Sequence, residues 1–354
     1  MVASPRAPLP SDVIIAYANW GECDAKIATA AREGANVLVW FAIQMVVGAN
    51  TSKPVIVGGP NLTCVSNTAR ALKAQGLPTH HFISVGGWNA PHPTAAGGSS
   101  GEWWNAWEEY NAAAIGAGLE GGFDGLDWDL EGNDDAHSQW NMFPASDLRL
   151  IANLSARVKA SGRLVSLVPP QSYLDATTTE FSLRVNLSAR CWHPEFSYAG
   201  RSVYAALLAL APPATFDLVS IQLYESWSLA ACALYARQQP ASTYLAGLVK
   251  AMDAGWKVGF DREPSLGLAN ATVRVPARTL VLGVANGWTR AGKDSKALFV
   301  PPDELGAAWK AMVLRPRGFM FWDAADEGHG ARPGIDPPVY MARGLNAFLH
   351  TRAA

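Results

Sequence analysis

Eight short apolar, β-rich runs recur along the 354 residues, with helix-like stretches between them. They span 13–19, 36–43, 81–87, 123–130, 164–168, 218–224, 279–285 and 318–322, and most are apolar nearly throughout. A strand wetted on one face alternates apolar with polar residues, whereas a strand covered on both faces reads as a continuous apolar run. The intervening stretches, such as "DAKIATAAREGA" and "PASDLRLIANLSARVKASG", often end in Gly just before the next run, as a helix stop should. Eight alternating β and α units predict an α/β fold, a closed (β/α)₈ barrel forming one domain over 1–354 with 1–12 as a tail. An open doubly wound sheet fits less well, because no glycine-rich phosphate loop follows the first run. The segments after the fifth and sixth runs exceed one helix and predict rim loops or an extra helix.

One run departs from the apolar rule. In "GGFDGLDWDLEGNDD", Asp127, Asp129 and Glu131 alternate with Leu126, Trp128 and Leu130, and Asp124 stands just ahead. Residues i, i+2 and i+4 of a strand share a face, so three carboxylates point one way from a segment whose other face is apolar. A solvated edge strand would not carry Phe123, Leu126, Trp128 and Leu130, and calcium sites prefer flexible loops. Carboxylates crowded on an inward face cannot all ionise, so their titrations couple. The outermost, Glu131, is then held protonated near neutral pH and can donate to a leaving group.

The remaining composition narrows the partners. Charged residues make up 16% of the chain, below the roughly 25% of an average soluble domain, which predicts a sizeable buried core. Net charge is −2 with no run of one sign, which argues against nucleic-acid or membrane-surface partners. The 14 Trp exceed ordinary usage; such rings fill cores and also stack on sugar faces. The N-terminal residues lack the apolar core of a secretion leader, while sequons at Asn50, Asn61, Asn153, Asn186 and Asn270 exceed the roughly two expected by chance. Together they predict a secreted or lysosome-like glycoprotein whose leader has been removed. Cys23, Cys64, Cys191 and Cys232 show no metal-ligand spacing, nor do His81, His193 and His329.

"FDGLDWDLE" resembles the DxxDxDxE signature of glycoside hydrolase family 18, the chitinases and their relatives. The resemblance runs along the chain. "SVGG" (Ser84, Gly86, Gly87) is similar to the family's third-strand SxGG motif, "YANWGE" to its first strand and "VPPQSY" to its fifth. "QLY" is similar to its sixth-strand motif and "GFMFWDAADEG" to its eighth. The resemblance implies substrate-assisted, retaining hydrolysis of β-1,4 bonds between N-acetylglucosamine units, with no cofactor and no metal. Carried over, Glu131 is the acid, Asp129 and Asp127 support it, and Tyr224 orients the acetamido group of the sugar. Trp322 would floor the cleavage subsite. Gln222, Tyr17, Gln171, Tyr173, Trp88 and Trp288 are expected to line the substrate site, with core hydrogen bonding in the upper barrel suiting Tyr17 and Gln222 equally well, and with Trp20 and Trp227 also on the rim. Asp124, Ser84, Gly86 and Gly87 are expected to be structural, and Trp103, Trp104 and Trp107 to belong to the core.

Only 33 residues separate Ala285 from Phe319, too few for the α+β insertion of many processive members. The resemblance is therefore to the compact branch, with a shallow groove suited to endo cleavage of accessible chitin chains. Two relatives of this chemistry stay open: an endo-β-N-acetylglucosaminidase acting on N-glycan cores, and a non-catalytic chitin-binding lectin. On adjacent rim loops of such a barrel, Cys23 would pair with Cys64 and Cys191 with Cys232.

Overall fold

The computed structural model describes residues 7–133, 135, 137–185, 202–225, 227–286, 298–329 and 337–350. These form eleven strands: β1 (Val13–Tyr17), β2 (Val37–Val47), β3 (Pro54–Gly58), β4 (His80–Gly86), β5 (Gly125–Asp129), β6 (Leu164–Leu167), β7 (Leu218–Gln222), β8 (Trp256–Val258), β9 (Ala271–Val273), β10 (Leu280–Ala285) and β11 (Gly318–Trp322). Eight of them close a parallel ring in the order β1, β2, β4, β5, β6, β7, β10, β11 and back to β1. All eight runs read from the sequence are barrel strands. The helices are α1 (Ala25–Arg32), α2 (Leu62–Ala74), α3 (Ser100–Gly116), α4 (Ala145–Ala160), α5 (Val203–Leu210), α6 (Leu229–Ala231), α7 (Ala241–Ala254), α8 (Pro302–Ala311) and α9 (Met341–Leu349). No helix among the described residues is long and apolar enough to cross a membrane.

The continuous apolar character of the strands has a direct cause, since each strand serves two cores. Val13, Ile15, Val37, Val39, Phe82, Leu218, Val281 and Met320 fill the barrel. Ile14, Leu38, Trp40, Leu126, Trp128, Val165, Ile221 and Phe319 face the helices, where Trp103 and Trp107 of α3 are fully buried. Lining the interior, Gly125 leaves room for the Phe82 ring, which a Cβ there would meet at 2.3 Å. The start of α3 carries the capping box that "SSGE" encodes: Glu102 N–H donates to Ser99 Oγ, and the Ser99 N–H donates back to the Glu102 carboxylate.

Two features go beyond the eight-run pattern. β2 continues past the barrel rim and turns back as antiparallel β3, so a hairpin stands beside the mouth. The long segment between β7 and β10 carries the expected extra helix, α6 ahead of α7, and adds a second hairpin, β8 with β9. β8 alternates buried and exposed and β9 runs from half-buried to buried, each over only three positions, too short a pattern to separate from loop in the sequence. The expected disulfide Cys23–Cys64 is present and ties the loop after β1 to the first turn of α2, with Cα atoms 6.1 Å apart. Cys191 lies outside the described residues.

At the start of α9, the Glu327 side chain accepts from the Ala342 N–H at 2.9 Å while lying 3% exposed. Burial pushes its carboxyl up to about 7 from the ordinary 4.5. A raised acid binds its proton more tightly folded than unfolded, so its favourable contribution is complete below pH 4.5 and is lost as pH climbs to 7. Glu327→Gln keeps an acceptor for α9 and removes this titration. The native protein should lose up to about 3 kcal/mol more than the variant between pH 5 and pH 8 in urea melts. Equal pH slopes for the two would show that Glu327 titrates normally.

Candidate active site

The acidic strand β5 enters the ring between β4 and β6, and its alternate residues project into the barrel mouth. Asp124, one residue ahead of the strand, accepts from the His81 N–H at 2.8 Å, and its own N–H donates to the His81 carbonyl. It pins the foot of β5 to β4.

Asp127 is the deepest acid, fully buried. Hydroxyls from three other strands converge on it: Tyr17 of β1 at 3.0 Å across the barrel, Ser84 of β4 at 2.8 Å, and Ser166 of β6. Burial raises this carboxyl, and the three donors oppose the rise. Ser84 was expected to matter through backbone geometry, and instead its hydroxyl touches an acid. Of the two roles open to Tyr17, substrate contact and core hydrogen bonding, its position fits the second: it is 2% exposed with its hydroxyl on Asp127. Ser166 was not anticipated; the only signal was a lone hydroxyl at an inward position of the apolar run "LVSLV".

Asp129 and Glu131 lie above, 5% and 6% exposed, and share a hydrogen bond. Burial raises both carboxyls, and the Glu131 charge raises Asp129 further. Two acids in contact in a dry site hold one proton between them. The Gln222 amide, at the end of β7, bridges the pair: its Nε2 lies 3.0 Å from Asp129 Oδ1, 2.7 Å from Glu131 Oε1 and 2.8 Å from the Val168 carbonyl. Gln222 thus makes core hydrogen bonds to the acids, one of the two roles the sequence left open for it. Tyr224, two residues on and 7% exposed, keeps its phenol protonated because burial and the Glu131 and Asp129 charges raise it.

The backbone around Glu131 is fixed from both sides. The Leu130 N–H donates to the Tyr204 hydroxyl at 2.7 Å, and the Gly132 N–H to the Tyr173 hydroxyl at 2.9 Å. Tyr173 and Gln171, expected on the groove wall, are each 2% exposed. Gln171 donates to the Tyr244 hydroxyl and accepts from the Ala230 N–H, which anchors α6 behind the wall. Tyr204, on helix α5, had no signal in the sequence. Gly86 stands at φ +101°, and a Cβ there would lie 2.2 Å from the Asp129 carbonyl oxygen; the neighbouring Gly87, also at φ +101°, makes space for Phe41 and Trp20.

Trp322, at the end of β11, rests on the edge of Phe41 at 4.7 Å and near Tyr17 at 6.1 Å. The following Asp323 is buried, and its carboxyl is pushed up to about 7 by burial and by Asp326. At the rim, Trp88 is 40% exposed and packs on Trp227 with ring centroids 5.5 Å apart, while Trp20 is 42% exposed. Trp288 lies outside the described residues. The arrangement therefore offers a proton-sharing acid pair, a phenol donor and a half-buried indole around one mouth.

No family model matches the chain, and no curated protein matches its sequence. Solved structures do match over nearly the whole length. The C-terminal domain of ChiA from Legionella pneumophila aligns with TM-score 0.60 at 16% identity, covering 96% of this chain and 98% of that one. The chitinase ChiB of glycoside hydrolase family 18 from Flavobacterium johnsoniae aligns with TM-score 0.50 at 11% identity, covering 96% and 94%. The chain has the family 18 chitinase fold. A further chitinase of that fold, active domain 2 of the thermostable enzyme from Pyrococcus furiosus, was solved as catalytic-site mutants with chito-oligosaccharides. It aligns with TM-score 0.54 at 12% identity, covering 96% of this chain and 95% of that one. At these identities the likeness establishes the chitinase fold, and the chemistry rests on the residues at the mouth.

Proposed function

We propose that this protein is a retaining, substrate-assisted glycosidase that cleaves β-1,4 bonds between N-acetylglucosamine units, endo-acting on chitin or its oligosaccharides. The observation that carries the reading is the hydrogen-bonded Asp129–Glu131 pair, bridged by Gln222, at the barrel mouth. The oligosaccharide complex of the Pyrococcus furiosus enzyme on the same fold supports the ligand class.

In this reading Glu131 gives its proton to the glycosidic oxygen, and the bond from that oxygen to the anomeric carbon breaks. The acetamido oxygen of the same sugar attacks the anomeric carbon and closes an oxazolinium ring. Asp129, anionic throughout because Glu131 held the pair's one proton, accepts from the acetamido N–H and offsets the positive charge, with Asp127 behind it. The Tyr224 hydroxyl keeps the acetamido oxygen close to its target, an effect of orientation. Water that has yielded a proton to Glu131 then opens the ring with retention of configuration. Trp322 supports the sugar from below. Asp127 is suited to the rear position because three hydroxyls favour its anion, so it can carry charge behind Asp129.

The test is incubation with chitin hexasaccharide, resolving product lengths and anomers within the first minutes. Short products appearing first as β-anomers are expected. Binding of the hexasaccharide without cleavage would replace this reading with a lectin, and inertness toward it with cleavage of an N-glycan core would replace the substrate.

A further inference from the structure

On the opposite end of the barrel from the carboxylates lies a cavity of about 770 Å³, within the range of small-molecule sites. It opens beside the N-terminal ends of β7, β10 and β11, between the end of α5 and the β8–β9 hairpin. Its floor is apolar, with Leu208, Phe216, Val219, Val273 and Val275 among the lining residues. Its polar lining is one-sided in charge: Lys159, Arg274, Arg278 and Arg317 face a single carboxylate, Asp217.

Most of this charge is already committed. Lys159 pairs with Asp217, and Arg274 with Asp253. Arg317 donates to the carbonyls of Leu9 and Pro10, which hold the N-terminal segment against the barrel. Arg278 differs. It is exposed at the cavity edge, feels the Asp253 charge, and its guanidinium has no hydrogen-bond acceptor among the described residues. Arginine is a planar fork of five donors that fits carboxylates, sulfonates and phosphates.

We propose that this cavity is a second binding site, for a small anion with an apolar body, such as an aryl or alkyl carboxylate, sulfonate or phosphate ester. The apolar floor takes the body and Arg278 takes the charge. The site lies away from the sugar chemistry and does not depend on the proposed glycosidase function.

The probe is 1-anilinonaphthalene-8-sulfonate, titrated into the full chain and followed by its fluorescence, with uncharged N-phenyl-1-naphthylamine as its counterpart. Saturable, one-to-one binding of the sulfonate is expected, at least about tenfold tighter than that of the neutral probe, as a charge-assisted hydrogen bond provides. Arg278→Glu should remove that advantage and leave the neutral probe bound, and Ala209→Trp, which fills the floor, should abolish binding of both. Thermal melts confirm that both variants are folded. No saturable binding, equal affinity for the two probes, or an unchanged sulfonate affinity in either variant would overturn the proposal.

Discussion

Replacing Glu131 with Gln should lower kcat on chitin hexasaccharide by about 10³- to 10⁴-fold, the upper part of what a positioned acid–base group contributes. One side chain serves both half-reactions in the proposed cycle, first as acid and then as base, so neither step has a substitute. The substitution is close to isosteric, and the new amide retains an oxygen that can accept from Gln222. The backbone on either side stays tied to Tyr204 and Tyr173. Affinity for the oligosaccharide should therefore change by only a few-fold while turnover collapses. Isothermal titration beside product analysis separates the two quantities. A variant that keeps more than about a tenth of native kcat would remove Glu131 from the chemistry. No turnover in either protein, with binding in both, would instead favour a lectin on the same fold.

The parts of this molecule that were readable in its sequence are those with a period. The apolar runs declared the barrel because each strand packs on both faces, and the alternation Asp127, Asp129, Glu131 declared the mouth because β5 sends every second residue inward. What was hidden is cross-strand. Ser84, Ser166 and Tyr17 meet at Asp127 only because three strands place them at neighbouring inward positions, and each is unremarkable in its own run. Tyr204 comes to the Leu130 N–H from a helix more than seventy residues away, a contact no local pattern encodes. Position after a strand was also a poor guide to exposure: Trp88 stands out from the rim, whereas Gln171 and Tyr173, in the same kind of position, turn inward to hold α6 and Gly132.

Asp129→Asn should cost about 10²- to 10³-fold in kcat, the scale of removing one electrostatic partner from a charge-developing transition state. Its sharper signature is in the pH profile. In the native pair one proton is shared, and the active form is Glu131 protonated beside Asp129 ionised. Losing that last proton leaves two anions in contact within a buried site, which holds the alkaline limb high. Adding a second proton neutralises Asp129 and sets an acid limb. With Asn at 129, deprotonation of Glu131 leaves a single anion beside an amide that can donate to it. The Glu131 carboxyl therefore falls relative to the native pair, so the alkaline limb of kcat/KM should move to lower pH. The acid limb due to Asp129 should disappear, since an amide has no proton to gain in that range. Profiles from pH 3 to 9 on the native protein and the variant measure both limbs. An alkaline limb that stays in place, or moves up, would mean that the two carboxyls titrate independently. The hydrogen bond between them would then be a packing contact, and catalysis would have to draw its proton from elsewhere in the mouth.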